Sequence, residues 1–290
     1  MFVHGDNLLQ KETSDAKYSD LESKQFLTEI REKYDIWKES NLALVGPCIE
    51  DRADEDLTIL SERVRLFSEY KDFIDQQKYA EKFDSRSNLH SSVLEEFMYY
   101  LFKDLVNDFS SSAMIGKAHT FKDIFFQAGN FREMVSRPCL KIETKDHDFI
   151  IGASIDSSFK CQGETVEEKY QFQIPAIAIE CKTYLDKTML EGSSTAAEQL
   201  KMRNPNAIYF VVSEWLKLTE NINLRKFKVD QIYVIRKQKN TDREYRYLPG
   251  YVKNPIFQEV INHLFFNVKA YLCKDWDSGV SSGLERGWLL

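Results

Sequence analysis

The run Ile174-Pro-Ala-Ile-Ala-Ile-Glu180-Cys-Lys182 constrains this chain more than any other nine residues. Side chains alternate along a strand, so Glu180 and Lys182 share one side and Cys181 points to the other. The residues before them are apolar on both faces, which predicts a central strand covered on both sides. An acid and a base at the end of such a strand are costly to bury unless they pair or bind an ion. Alone they could be a plain ion pair, so the rest of the sequence has to decide.

The second element is Lys145-Asp-His-Asp148-Phe-Ile-Ile-Gly152, where Asp148 leads into a short apolar strand closed by a glycine. The segment from Ser154 to Gln173 is polar, contains Gly163, and reads as a hairpin or loop. If the two strands pair, Asp148 and Glu180 converge on one oxygen-lined site. A hard cation such as Mg²⁺ takes carboxylates, a backbone carbonyl and waters. Lys182 would sit beside the ion, placed to orient a water or offset charge on a pentavalent phosphate. That is the chemistry of metal-assisted phosphodiester hydrolysis. Asp146 and His147 read as a solvated turn, because nothing completes a transition-metal set around them.

Asp148 followed by Glu180-Cys-Lys182 resembles the Asp…(Glu/Asp)-x-Lys pattern of the PD-(D/E)XK nucleases. The flanking residues are more specific than the pattern. Lys145-Asp-His-Asp-Phe-Ile-Ile-Gly152, Ile179-Glu-Cys-Lys-Thr-Tyr-Leu-Asp-Lys-Thr-Met-Leu190 and Ile208-Tyr-Phe-Val-Val-Ser-Glu214 resemble the subunits of BbvCI-type restriction endonucleases. The resemblance is firm from about Leu89 to Lys237. It implies an α/β restriction-endonuclease-like core, a mixed central sheet flanked by helices. It implies Asp148 and Glu180 as metal ligands, Lys182 as the catalytic lysine and Mg²⁺ as cofactor. It further implies double-stranded DNA as substrate, cut at a specific site one strand per subunit. The partner would be a related second subunit or a second copy. No proline precedes Asp148, a common departure in the superfamily.

Nucleases of this type often add a glutamate from an earlier helix. Ser91-Ser-Val-Leu-Glu-Glu-Phe-Met-Tyr-Tyr-Leu-Phe-Lys reads as that helix, with Ser91 as N-cap and a stripe of Leu94, Phe97, Met98, Leu101 and Leu105. Periodicity puts Glu95 on the flank of the stripe and Glu96 nearly opposite it. The resemblance favours Glu96, which directly precedes the shared Phe97, and Glu96 is the residue expected here.

Two other functions fit the same motif. A repair or mobile-element nuclease would share the site with relaxed sequence preference. A non-catalytic DNA-binding partner could keep the motif as structure alone.

A net charge of -7 at first argues against a nucleic-acid partner. Its distribution weakens the objection, since twenty acidic and twelve basic residues precede position 86. The remainder is therefore close to neutral. Between Lys217 and Arg246 nine basic residues face four acidic ones, including Arg225, Lys226, Lys228, Arg236, Lys237, Lys239, Arg243 and Arg246, with Tyr233, Tyr245 and Tyr247 interleaved. Such residues neutralise phosphates and position a protein on DNA without reading bases. Five scattered cysteines with no Cys-x-x-Cys pair argue against a zinc site or a disulfide framework. Neither a signal peptide nor a membrane-spanning run is present, so a reducing cytoplasm is the expected location.

The remaining pattern predicts three regions. Residues 1–85 read as helical, through Leu21, Phe26, Ile30, Tyr34 and Trp37, then Leu57, Leu60, Val64, Phe67 and Tyr70. Asp84-Ser-Arg-Ser-Asn88 reads as a connector, and Glu50 to Asp56 as a solvated helix start. Residues 86–275 form the nuclease domain. Within it, 110–136 look irregular, strands fall near Cys139–Glu143 and Phe149–Gly152, and a helix spans Ser194–Met202 with Gln199 on its surface. Further strands are expected at Ala207–Ser213 and Gln231–Arg236, and a helix at Asn254–Tyr271. Residues 276–290 read as a tail.

Overall fold

The computed structural model describes residues 2–83, 88–239, 248, 250–276 and 279–289. Its frame is a sheet of β1 (Met114–Phe126), β2 (Leu140–Lys160), β3 (Glu167–Leu185), β4 (Ile208–Leu216) and β5 (Gln231–Lys239), in that spatial order. The first three strands pair antiparallel and the last three parallel. The mixed sheet with flanking helices expected from the sequence is the fold observed. β4 is buried along almost its whole length, as its unbroken apolar text requires of a strand covered on both faces.

One face carries the helices α1 (Val3–Glu12), α2 (Leu21–Ala43), α3 (Ala53–Ile74), α4 (Gln77–Lys82), α5 (Ser92–Phe109) and α8 (Gln258–Cys273). α2 turns one stripe inward, Leu27, Ile30, Tyr34 and Trp37, and Asp20 caps it through the Ser23 N–H at 3.0 Å. α5 buries thirteen of its eighteen residues, because it lies between two layers. Its Phe97 stacks on Phe67 of α3 at 4.2 Å, and Phe102 meets Phe149 of β2 and Phe265 of α8. One apolar cluster therefore runs from Leu8 and Trp37 through α5 to Ile179, Phe210 and Phe265. Position 85 divides the chain but not the core. On the other face, α7 (Lys187–Arg203) packs Leu190, Ala197 and Leu200 against Ile150, Ala178, Tyr209 and Val211.

Several expectations are corrected. Residues 110–136 contain β1 and the short helix α6 (Phe131–Ser136). The strands expected at 139–143 and 149–152 are one strand, since β1 pairs along 140–152 and β3 along 149–160. Asp146 and His147 therefore lie inside β2, not in a turn. Ser91 makes no side-chain cap to α5, because its hydroxyl turns back to the Asn88 carbonyl. Asp56 is buried and faces Lys269 at 3.6 Å, so the start of α3 is not solvated throughout. Residues 280–286 form a helix, α9 (Val280–Arg286). Of the expected connector only Asn88 is described, and Asp84, Ser85, Arg86 and Ser87 lie outside the described residues. Gln199 is exposed, and all five cysteines are free. Among the described residues no helix is long and apolar enough to cross a membrane.

Candidate active site

The β2–β3 register fixes the site. Phe149 is the partner of Ile179, so the next pair outward sets Asp148 across from Glu180. Holding that register requires a close crossing at Gly152. A Cβ there would fall 2.2 Å from the Ile174 carbonyl oxygen and 2.7 Å from the Pro175 Cα, where the ladder shifts by one residue.

At the strand end the three motif side chains meet. The Lys182 ammonium stands 2.6 Å from Glu180 Oε1 and 3.3 Å from Asp148 Oδ2. The same Asp148 oxygen accepts the Cys181 N–H at 2.9 Å, so the carboxylate closes the ladder where the strands part. Tyr209 of β4 donates its hydroxyl to Glu180 Oε2 at 3.1 Å. Alternation accounts for that contact, because Val211 is the register partner of Glu180 and Tyr209 lies two residues earlier. The three motif side chains are 20–26% exposed, enough shelter to strengthen their interactions and enough opening to admit a ligand.

Burial raises the Asp148 pKa, the Glu180 charge adds to the shift, and Lys182 and the Cys181 N–H offset part of it. Burial opposes the Lys182 charge, but Asp148 and Glu180 outweigh it and hold the ammonium above its ordinary value. Burial, then Glu180, raises Tyr209, which remains a donor. Cys181 is buried, and burial lifts its thiol well above the ordinary range, which excludes it as a nucleophile.

Glu96, expected as the helix carboxylate, lies away from the strand end. Glu96 is fully buried on the side of α5 facing α1, where it accepts the His4 and Gly5 N–H groups at 2.8 and 3.2 Å. Its other oxygen accepts the hydroxyls of Tyr34 and Tyr100 at 3.0 and 2.6 Å. The residue that faces the site is Glu95. Burial and then Asp148 push its carboxyl up, against the pull of Lys117 at 3.1 Å. Periodicity had put Glu95 beside the stripe that faces the sheet.

Sequence reasoning missed Lys117 and Tyr209. Lys117 lies opposite a bulge of β2, facing both Asp148 and Phe149 between the Gly116 and Ala118 pairs, a placement that the β1 sequence alone does not display. His147, read as solvated, is buried edge-on against Tyr209, and burial, with Lys145, lowers its pKa to about 4.

The basic stretch is only partly available to a phosphate. Arg236 is buried, bonded to Glu214 at 3.2 Å and the Asn254 carbonyl at 2.8 Å, and lies over Trp215. Lys237 pairs with Glu259 and Lys239 with Glu220. Tyr233 is buried against Phe210. Arg225, Lys226 and Lys228 are exposed, while Arg243, Tyr245, Arg246 and Tyr247 lie outside the described residues.

Among the described residues no three His, Cys, Asp or Glu side chains converge as a metal cage. Mg²⁺ does not need one, since one or two carboxylates with waters suffice. The donors at the strand end are oxygens only, which suits a hard cation.

The model of the Bpu10I restriction endonuclease family matches residues 86–289. A solved structure described as the native BbvCI A2B2 tetramer at low resolution is similar in fold, with a TM-score of 0.63 and 21% identity. The match covers 92% of this chain and 95% of that one. No curated protein matches.

Proposed function

The chain belongs to the Bpu10I restriction endonuclease family, and from that premise we propose how this type II restriction endonuclease subunit acts. It hydrolyses one strand of a specific DNA duplex with Mg²⁺, beside a related subunit that cuts the other strand. The observation that carries the reading is the single Lys182 ammonium shared by Asp148 and Glu180 at the ends of paired strands. The A2B2 composition of BbvCI, similar in fold, supports the second subunit.

In this reading Asp148 and Glu180 hold the ion, with the Cys181 carbonyl as a further oxygen donor and Glu95 as the helix carboxylate. The bound ion supplies Lewis-acid stabilisation of the phosphate oxygens and a more acidic water. The protein's own groups do the rest. Lys182, beside both carboxylates, positions or helps deprotonate the attacking water and offsets charge developing on the phosphate. Tyr209 fixes one Glu180 oxygen and so aims the other.

The test is cleavage of supercoiled plasmid with Mg²⁺, by the chain alone and with the product of its genomic neighbour. A discrete linear product only from the pair, reduced to a nick when this chain carries Lys182→Ala, is the expected result. A linear product from this chain alone means two copies act on a symmetric site. Binding without Mg²⁺-dependent cleavage, even with the mate present, would make this chain a non-catalytic partner and sink the proposal.

A further inference from the structure

Lys117 is a second cation beside the site and lies outside the Asp148…Glu180-Cys-Lys182 motif. At the register shift between Gly116 and Ala118, where Gly116 has φ +117°, Lys117 is the one β1 residue opposite two of β2, Asp148 and Phe149. Bulges of this kind re-aim a side chain, often beside an active site. Here the two bulged residues include Asp148, and the Lys117 ammonium opposite them stands 3.1 Å from Glu95 Oε2. The two partners are unequally sheltered, since the Lys117 side chain is 48% exposed and that of Glu95 only 7%. Its charge also acts on Asp148, and the Asp148 charge on it.

Lys182 is engaged on both sides by Asp148 and Glu180, whereas Lys117 meets the site from its open edge. Three carboxylates, Glu95, Asp148 and Glu180, face these two ammoniums. A divalent cation joining them turns a net negative site into one with a single surplus positive charge. That surplus matches one phosphodiester. A cation held by Asp148 and Glu180 would also offset the charge of Glu95 beside them, which leaves the flexible, half-exposed Lys117 ammonium free to turn outward.

Resting on the reading of this site as a metal-dependent phosphodiester hydrolase, we propose that Lys117 is a substrate-binding residue. It neutralises Glu95 in the free protein and contacts a backbone phosphate of the bound duplex.

A phosphate contact has a signature that an internal ion pair lacks, a contribution to the salt dependence of DNA binding of about 0.9 in the slope of log K against log salt. The measurement uses the full chain with its partner subunit, in Ca²⁺. The probe is the fragment of a digested plasmid that the parent protein retains most tightly. Lys117→Met is expected to weaken binding and lower the slope by about 0.9, with a lower melting temperature because buried Glu95 loses its partner, while Lys117→Arg keeps the parent slope and melting temperature. A parent-like slope for Lys117→Met would overturn the proposal, whether or not cleavage falls, because Lys117 would then act through Glu95 or not at all. A parent protein that cleaves nothing in Mg²⁺ defeats the hydrolase reading separately, since the slope is measured without cleavage.

Discussion

Glu95 and Glu96 are chain neighbours on α5 that serve different parts of the molecule. Glu95 meets Lys117 at the edge of the strand-end site, and Glu96 receives the His4 and Gly5 backbone N–H groups of α1. Adjacent helical residues diverge by about 100°, enough to send one side chain to the sheet and the next to the opposite layer.

Separate consequences follow for the two residues. Glu95→Ala removes a desolvated carboxylate and should leave the melting temperature near the parent value. Cleavage should fall about a hundredfold, the scale of losing a placed acid–base or charge-stabilising group. Glu96→Ala leaves four buried donors without an acceptor and should cost about 3 kcal/mol or more, read by urea unfolding. The folded fraction should still cut. The reverse pattern would restore Glu96 to the site.

Tyr209→Phe removes one hydroxyl, at a contact 3.1 Å from Glu180, and little volume. Cleavage should fall about tenfold with unchanged DNA binding, because the loss lies in the aim of Glu180. Equal loss of binding and cleavage would assign Tyr209 to the substrate.

Gly152→Ala tests the strand crossing. Its Cβ would meet backbone atoms of Ile174 and Pro175, which cannot rotate away. Stability should fall by about 1–3 kcal/mol, and activity with it, as Asp148 and Glu180 lose their register. An unchanged unfolding curve would show that the ladder adjusts freely.

His4 gives the fold a pH dependence of known sign. Its ring is bonded to Tyr70 at 2.6 Å and Ser92 at 2.9 Å. Burial, then the charges of His90, Lys11, Arg31 and Lys71, lower its pKa well below 6.5. The unfolded chain takes up a proton on His4 that the folded one refuses, so this contribution is present above 6.5 and lost as pH falls below it. The parent should therefore lose more stability than His4→Gln between about pH 8 and about pH 5.5. Parallel losses in the two proteins would contradict the neutral, buried imidazole.

The motif strand was legible because its information is local. An unbroken apolar run predicts a doubly covered strand, and its end displays Glu180 and Lys182. The pairing with Asp148 also followed, since Gly152 and the polar interval mark a hairpin. β1 was not legible. Its charged residues interrupt any apolar run, and its stability comes from the β2 partner, which no window on β1 contains. Lys117 was hidden for a related reason, because a register shift is a property of two strands together. The position of Glu95 was within reach, since periodicity put it beside the stripe that faces the sheet, while the flanking likeness at Phe97 favoured Glu96, which the fold turns toward α1. Arg236 illustrates the opposite error, a cation read as a surface charge that the fold encloses beside Glu214 and Trp215.

The shared core across position 85 bears on any exchange of parts between related subunits. A chimera that grafted residues 86–289 onto a foreign N-terminal region would leave Glu96 with Tyr100 but without His4, Gly5 and Tyr34, and the rings of α5 that face away from the sheet would lose their cover. The natural unit of transplantation is therefore larger than the matched segment, and begins with the helix that holds His4 and Gly5.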